Sequence, residues 1–189
     1  MIKITLAAFF SLFFSSQAFA SFAYGGRVRI EDSIKLIENI QVGDEVSVLE
    51  NGSTPDSISF SEERVAFSTG TGPDAHMAGM IYLSYGDEGA ELVVTPDQVF
   101  LTAKQRLVRA SKLTIVDQLL SKDGKPIQIR QIAFGEYHGG VHHIATESDN
   151  TFGNFLIIGG VWVGSYKIEV FYDSASLKDI NVFEDRPLR

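Results

Sequence analysis

Along most of the chain, apolar residues alternate with polar ones in short runs rich in Val, Ile, Thr, Phe and Tyr, and clusters of Gly, Ser, Asn, Asp and Pro separate the runs. A period of two with frequent turn signals predicts strands; stretches with a helical period are few. The pattern predicts strands over 27–30, 45–48 and 58–67, with loops at 51–56 and 68–74. It predicts a hairpin from 80–83 and 91–95 around the turn 85–89, then strands at 99–101 and 105–108. Residues 111–120 read as a short helix or turn leading into a strand, and Asp123-Gly124 as a turn before a strand over 126–132. Further strands are expected at 136–146, 155–158, 161–163 and 166–171. The fold class is all-β.

The first twenty residues follow a different rule. Lys3 precedes an apolar run over 4–14, Ser15-Ser16-Gln17 breaks it, and Ala18-Phe19-Ala20 supplies small residues at the end. This is the layout of a secretory signal peptide cut after Ala20. The run is short of the roughly 20 apolar residues that a membrane-spanning helix needs. The expected organisation is a signal peptide at 1–20, one domain at 21–171 and a polar C-terminal tail at 172–189, with a secreted or periplasmic location and no membrane attachment after signal removal.

Composition narrows the function classes. A net charge of -8 with no block of Lys or Arg argues against a nucleic-acid partner, because few phosphate counterions could be displaced. The absence of cysteine excludes disulfides, thiolate metal sites and cysteine nucleophiles. No P-loop, dinucleotide fingerprint or HExxH is present, and no cofactor is expected.

Three separated stretches together resemble the Hint (hedgehog/intein) domain. The first runs from Ser21-Phe22-Ala23-Tyr24-Gly25 to Ile40-Gln41-Val42-Gly43-Asp44-Glu45-Val46 and is similar to that family's opening block. The second is Val94-Thr95-Pro96-Asp97-Gln98, similar to a T-P-x-H block, followed by Val108-Arg109-Ala110-Ser111-Lys112-Leu113. The third joins Val141-His142-His143-Ile144-Ala145-Thr146 to the 154–164 stretch, which resembles the closing block and its hairpin. The resemblance implies a compact, horseshoe-like β-fold.

It also implies a reaction. In the family, an opening Cys or Ser attacks the carbonyl before it, and the T-x-x-H histidine protonates the departing amide nitrogen. Ser21 stands at the nucleophile position, Thr95 is kept, and Gln98 replaces the histidine. Glutamine hydrogen-bonds but does not transfer protons near neutral pH. Gly164-Ser165 stands where splicing members carry His-Asn. The reading is therefore an exported Hint-like domain with a degraded autoprocessing site, acting as a binding or structural module for a protein partner whose identity and stoichiometry the residues do not specify. The alternative is residual self-cleavage at the Ala20-Ser21 bond, with His142 or His143 as the replacement proton carrier. A strand places those two histidines on opposite faces, so only one of them can face Ser21.

A metal-dependent hydrolase is a more distant third reading. His138 and His142 share a face, yet lie too far apart on an extended strand for one ion unless Gly139-Gly140 bends it, and His76 or a carboxylate would have to complete the set. Other features read as structural: Asp44 bonding its own turn, Asp117 in an altered second turn, and Trp162 with its neighbours in the core.

Overall fold

The β-branched runs become fourteen strands in a computed structural model that describes residues 21–173 and 181–183. The expected signal peptide and most of the tail lie outside the described residues. In chain order the strands are β1 (Phe22–Ala23), β2 (Arg27–Ile30), β3 (Ser33–Leu36), β4 (Glu45–Leu49), β5 (Phe60–Gly70), β6 (His76–Tyr85) and β7 (Ala90–Val94). They continue as β8 (Val99–Leu101), β9 (Leu107–Arg109), β10 (Gln118–Leu120), β11 (Pro126–His138), β12 (Val141–Thr146), β13 (Phe155–Ile158) and β14 (Val161–Gly164). One short helix, α1 (Tyr166–Phe171), follows.

All pairings between these strands are antiparallel, and they run in the order β10-β11-β6-β7-β1-β12-β5-β4-β13-β14-β8-β9, with β2 and β3 attached beside β13. The order is far from sequential. Strand β1, two residues long, is wedged between β7 and β12, whose partners lie more than seventy residues along the chain. Two large apolar clusters and a small third one around Ala23, Met80 and Val141 fill the interior of the described residues. The first large cluster gathers Phe22, Val28, Val48, Ile81, Val94, Ile144 and Val163; the second surrounds Trp162 with Leu101, Phe155, Ile157 and Ile168.

Several expected boundaries move. Strand β5 takes in Ser68, Thr69 and Gly70, expected as loop, because the backbone there pairs with Ile144, His143 and His142. The strand expected over 136–146 divides. Its first part belongs to β11, which extends back to Pro126, and a bend at Gly139-Gly140 separates it from β12. Glycine is required at 140, where a Cβ would come within 2.4 Å of the Tyr24 ring. The 166–171 run, expected as a strand, is α1. Ile168, Glu169 and Tyr172 are buried while Val170 is 55% exposed, so the buried face has helical spacing rather than alternation.

The turns behave as their residues predict. Asp44 accepts the Gln41 amide at 2.7 Å and pairs with Lys35 at 2.6 Å. Asp117, without a preceding glycine, accepts both the amide and the hydroxyl of Thr114. The described part of the tail joins the body: Val182 is buried, and its amide donates to the Gln105 carbonyl.

Candidate active site

Register alone assembles the site. Phe22 pairs with Val94 on one side and with His142 on the other. One residue earlier along antiparallel neighbours, Ser21 therefore falls level with Thr95 and His143. The contacts follow this prediction. The Ser21 amide donates to Thr95 Oγ1 at 2.7 Å, and the Thr95 amide donates to the Ser21 carbonyl at 2.9 Å. Ser21 Oγ lies 2.8 Å from His143 Nδ1. All three residues are buried.

The surroundings of His143 set its chemistry. Its ring stacks on Tyr166 at 4.8 Å between centroids and on Phe67 at 5.4 Å, with interplanar angles of 13° and 16°. Removal from water by these apolar faces, helped by the neighbouring His142, pushes its pKa down to about 4. At neutral pH the imidazole is uncharged and offers a lone pair, a state able to accept the proton of a serine hydroxyl.

His142 points to the other face of β12, as strand alternation requires. Its Nε2 lies 2.8 Å from Ser68 Oγ, whose hydroxyl donates to the Ile40 carbonyl, and burial lowers its pKa. His142 is thus held by Ser68 on the opposite face, and of the two candidates His143 is the one brought to Ser21.

Gln98 is buried but engaged elsewhere. Its Nε2 donates to the carbonyls of Gly164 at 3.0 Å and Val99 at 3.2 Å, tying the closing hairpin to β8. His138 is on the surface beside His76, apart from His142, so the bend at Gly139-Gly140 does not bring His138 and His142 into one metal-binding group.

Three features of the site carry no signal in local sequence. The aromatic cover of His143 comes from Phe67 and Tyr166, on β5 and α1, which only the tertiary fold brings together. Asn154 is fully buried and spends all its hydrogen-bonding capacity: Oδ1 accepts from Thr146 Oγ1 at 3.1 Å and Ser165 Oγ at 3.0 Å, while Nδ2 donates to the carbonyls of Ser148 and Asn150, both at 2.9 Å. Glu169 is buried near Asp97 and Arg109. Desolvation, the dominant influence, raises its pKa well above the ordinary carboxylate value. A cavity of about 660 Å³ lies on a different part of the surface, lined by Tyr24, Arg27, Arg29, Glu91 and Tyr137 among others.

The long antiparallel sheet, with its first strand inserted between the seventh and the twelfth, agrees with the all-β fold that the resemblance to the Hint domain implies. Solved structures bear this out. The chain is similar to a bacterial intein-like domain from Clostridium thermocellum at 20% identity, with a TM-score of 0.63 over 77% of this chain and 98% of that one. It is similar to a DnaB intein from Synechocystis at 14% identity and a TM-score of 0.59, and to the gp41-1 intein at 18% and 0.57, each covering 77% of this chain and 98% of the other. No family model and no curated protein matches the sequence. Among the described residues, no helix is long and apolar enough to cross a membrane. The protein has the Hint, or intein-like, fold.

Proposed function

We propose that this domain carries out the first step of self-processing, an N-to-O acyl shift at the bond between residues 20 and 21, with Ser21 as nucleophile and His143 as its base. The observation that supports it is the 2.8 Å contact between Ser21 Oγ and the Nδ1 of an imidazole held neutral by burial. With the ring proton on Nε2, Nδ1 takes the hydroxyl proton as Oγ bonds to the carbonyl carbon of residue 20. The carbon–nitrogen bond then breaks, and the proton on Nδ1 passes to the Ser21 nitrogen, which sits on the same residue as Oγ. The step is an isomerisation and consumes no co-reactant. Thr95 Oγ1, 2.7 Å from that nitrogen, holds it in place as it changes from amide to amine.

The burial that keeps His143 neutral also makes it a weak base, so the shift is slow. Gln98 is committed to backbone carbonyls, and Ser165 has no side-chain carboxamide with which to cyclise. The reaction therefore stops at an ester or its hydrolysis products, and splicing does not follow.

A second reading, a binding or structural module without chemistry, is favoured by one observation: Gln98 stands where a proton-transferring histidine would serve the leaving nitrogen. The binding reading takes residues 1–20 as a signal peptide removed on export, whereas the acyl shift requires the bond between residues 20 and 21 to be intact when the domain folds.

The test replaces residues 1–20 by a soluble carrier ending in Ala and produces the fusion where signal peptidase is absent. Intact masses are followed with and without hydroxylamine. Cleavage at the junction that hydroxylamine accelerates, and that Ser21→Ala and His143→Ala both abolish, is the expected result. A fusion that stays intact under every condition refutes the acyl shift and leaves the binding module.

A further inference from the structure

A second group of chemically versatile side chains lies away from Ser21. His76 opens β6 and His138 closes β11, and the two are direct cross-strand partners at the end of that ladder. Partners of this kind hold their Cβ atoms about 5 Å apart. Their rings stack with centroids 4.4 Å apart and an interplanar angle of 7°. Glu136 Oε2 lies 3.2 Å from His76 Nε2. One ligand atom from each of the three residues falls within 4.8 Å of the others.

From this convergence we propose that His76, Glu136 and His138 form a surface site for a divalent transition ion, with zinc as the ion the donor set suits. Two imidazoles and one carboxylate make a mixed nitrogen and oxygen donor set that zinc accepts, and three protein ligands leave a fourth position for water. Bond lengths of about 2.0–2.1 Å around a tetrahedral ion put neighbouring donor atoms about 3.3 Å apart, close to the separation already present between His76 and Glu136. The imidazoles have to splay from their parallel stack so that both in-plane lone pairs converge. All three side chains are exposed, so this motion disturbs no core packing.

The position gives the ion a mechanical role. His138 directly precedes the Gly139-Gly140 bend that delivers β12, and the Gly139 amide donates to the carbonyl of Ala75, next to His76. An ion held here clamps β6 to β11 at the point where the chain turns toward His142 and His143.

The experiment titrates tag-free exported protein with zinc by calorimetry and by competition with a chromophoric chelator. One ion per chain is expected, with His76→Ala and His138→Ala each weakening binding by at least about tenfold and Glu136→Gln by less. Zinc raises the melting temperature of the unsubstituted protein and not that of His76→Ala. His143→Ala, which alters the Ser21 site alone, binds zinc as the unsubstituted protein does. Melting without zinc establishes that the variants fold. The absence of saturable binding at millimolar zinc overturns the proposal, as does undiminished affinity in the His76→Ala/His138→Ala double variant.

Discussion

Gly70 lies directly opposite His142 in the β5–β12 ladder, and the imidazole occupies the space a side chain at 70 would need. A Cβ there would stand 2.3 Å from the Val141 carbonyl and 2.6 Å from His142 Nδ1. Gly70→Ala is therefore expected to push β12 away from β5 and to cost roughly 1–3 kcal/mol, as forcing a side chain against occupied backbone does. Denaturant unfolding gives the cost. A substitution within a few tenths of a kcal/mol of neutral would mean that the ladder gives way more easily than its backbone contacts imply.

Protonation of His143 couples folding to pH. Its pKa is about 4 in the fold and about 6.5 in an unfolded chain, so between those values the unfolded state binds more protons. Stability contributed by the neutral ring is complete above pH 6.5 and is lost as pH falls toward 4, by on the order of 3 kcal/mol. In His143→Gln this part of the pH dependence is expected to disappear, which melting curves between pH 4 and 7.5 would reveal. Parallel curves for the two proteins would place the titration on another group.

Glu169 titrates in the opposite sense. Burial raises its pKa in the fold, so the unfolded carboxyl ionises first as pH rises above about 4.5, and stability falls from there upward. Glu169→Gln keeps the shape and removes the titration. It is expected to melt a few degrees higher than the unsubstituted protein at pH 7, with the advantage shrinking toward pH 4. An advantage that does not change with pH would show that the gain comes from packing.

Asn154 provides an isosteric test of hydrogen-bond direction. Asn154→Asp keeps the oxygen that accepts from Thr146 and Ser165, but turns a second oxygen toward the carbonyls of Ser148 and Asn150. Two lost donors and a buried charge are expected to cost about 3 kcal/mol or more at pH 7, with partial recovery in acid as the carboxyl protonates. Urea unfolding at pH 7 and pH 4 separates the two contributions. Equal stability to the parent at neutral pH would mean that this network is reached by water.

The strand content was legible because alternation and turn residues act locally. Arg27 to Ile30, the hairpin around Gly86 and the run ending at Trp162 each carry their own signal. Strand length was less legible where pairing overrides composition, as at Ser68-Thr69-Gly70, whose residue types favour a loop until a partner strand fills the ladder. A six-residue segment such as Tyr166 to Phe171 contains too few apolar positions to separate a period of two from one of 3.6, and the buried Glu169 hides the helical face further. At the site, Ser21, Thr95 and His143 were all legible as candidates through the family resemblance. Which histidine meets Ser21 depends on the register of β1 against β12, fixed by contacts some 120 residues apart, and no local pattern encodes it. The pairing of His76 with His138 was hidden for the same reason.

The wedged position of β1 has a consequence for timing. During synthesis, Ser21 emerges long before His143, from which 122 positions separate it, and the slot between β7 and β12 does not exist until both of those strands have been made. Closing so distant a contact comes late in folding. The two-residue strand thus acts as a latch, and Ser21 meets the His143 ring only when nearly the whole domain is complete.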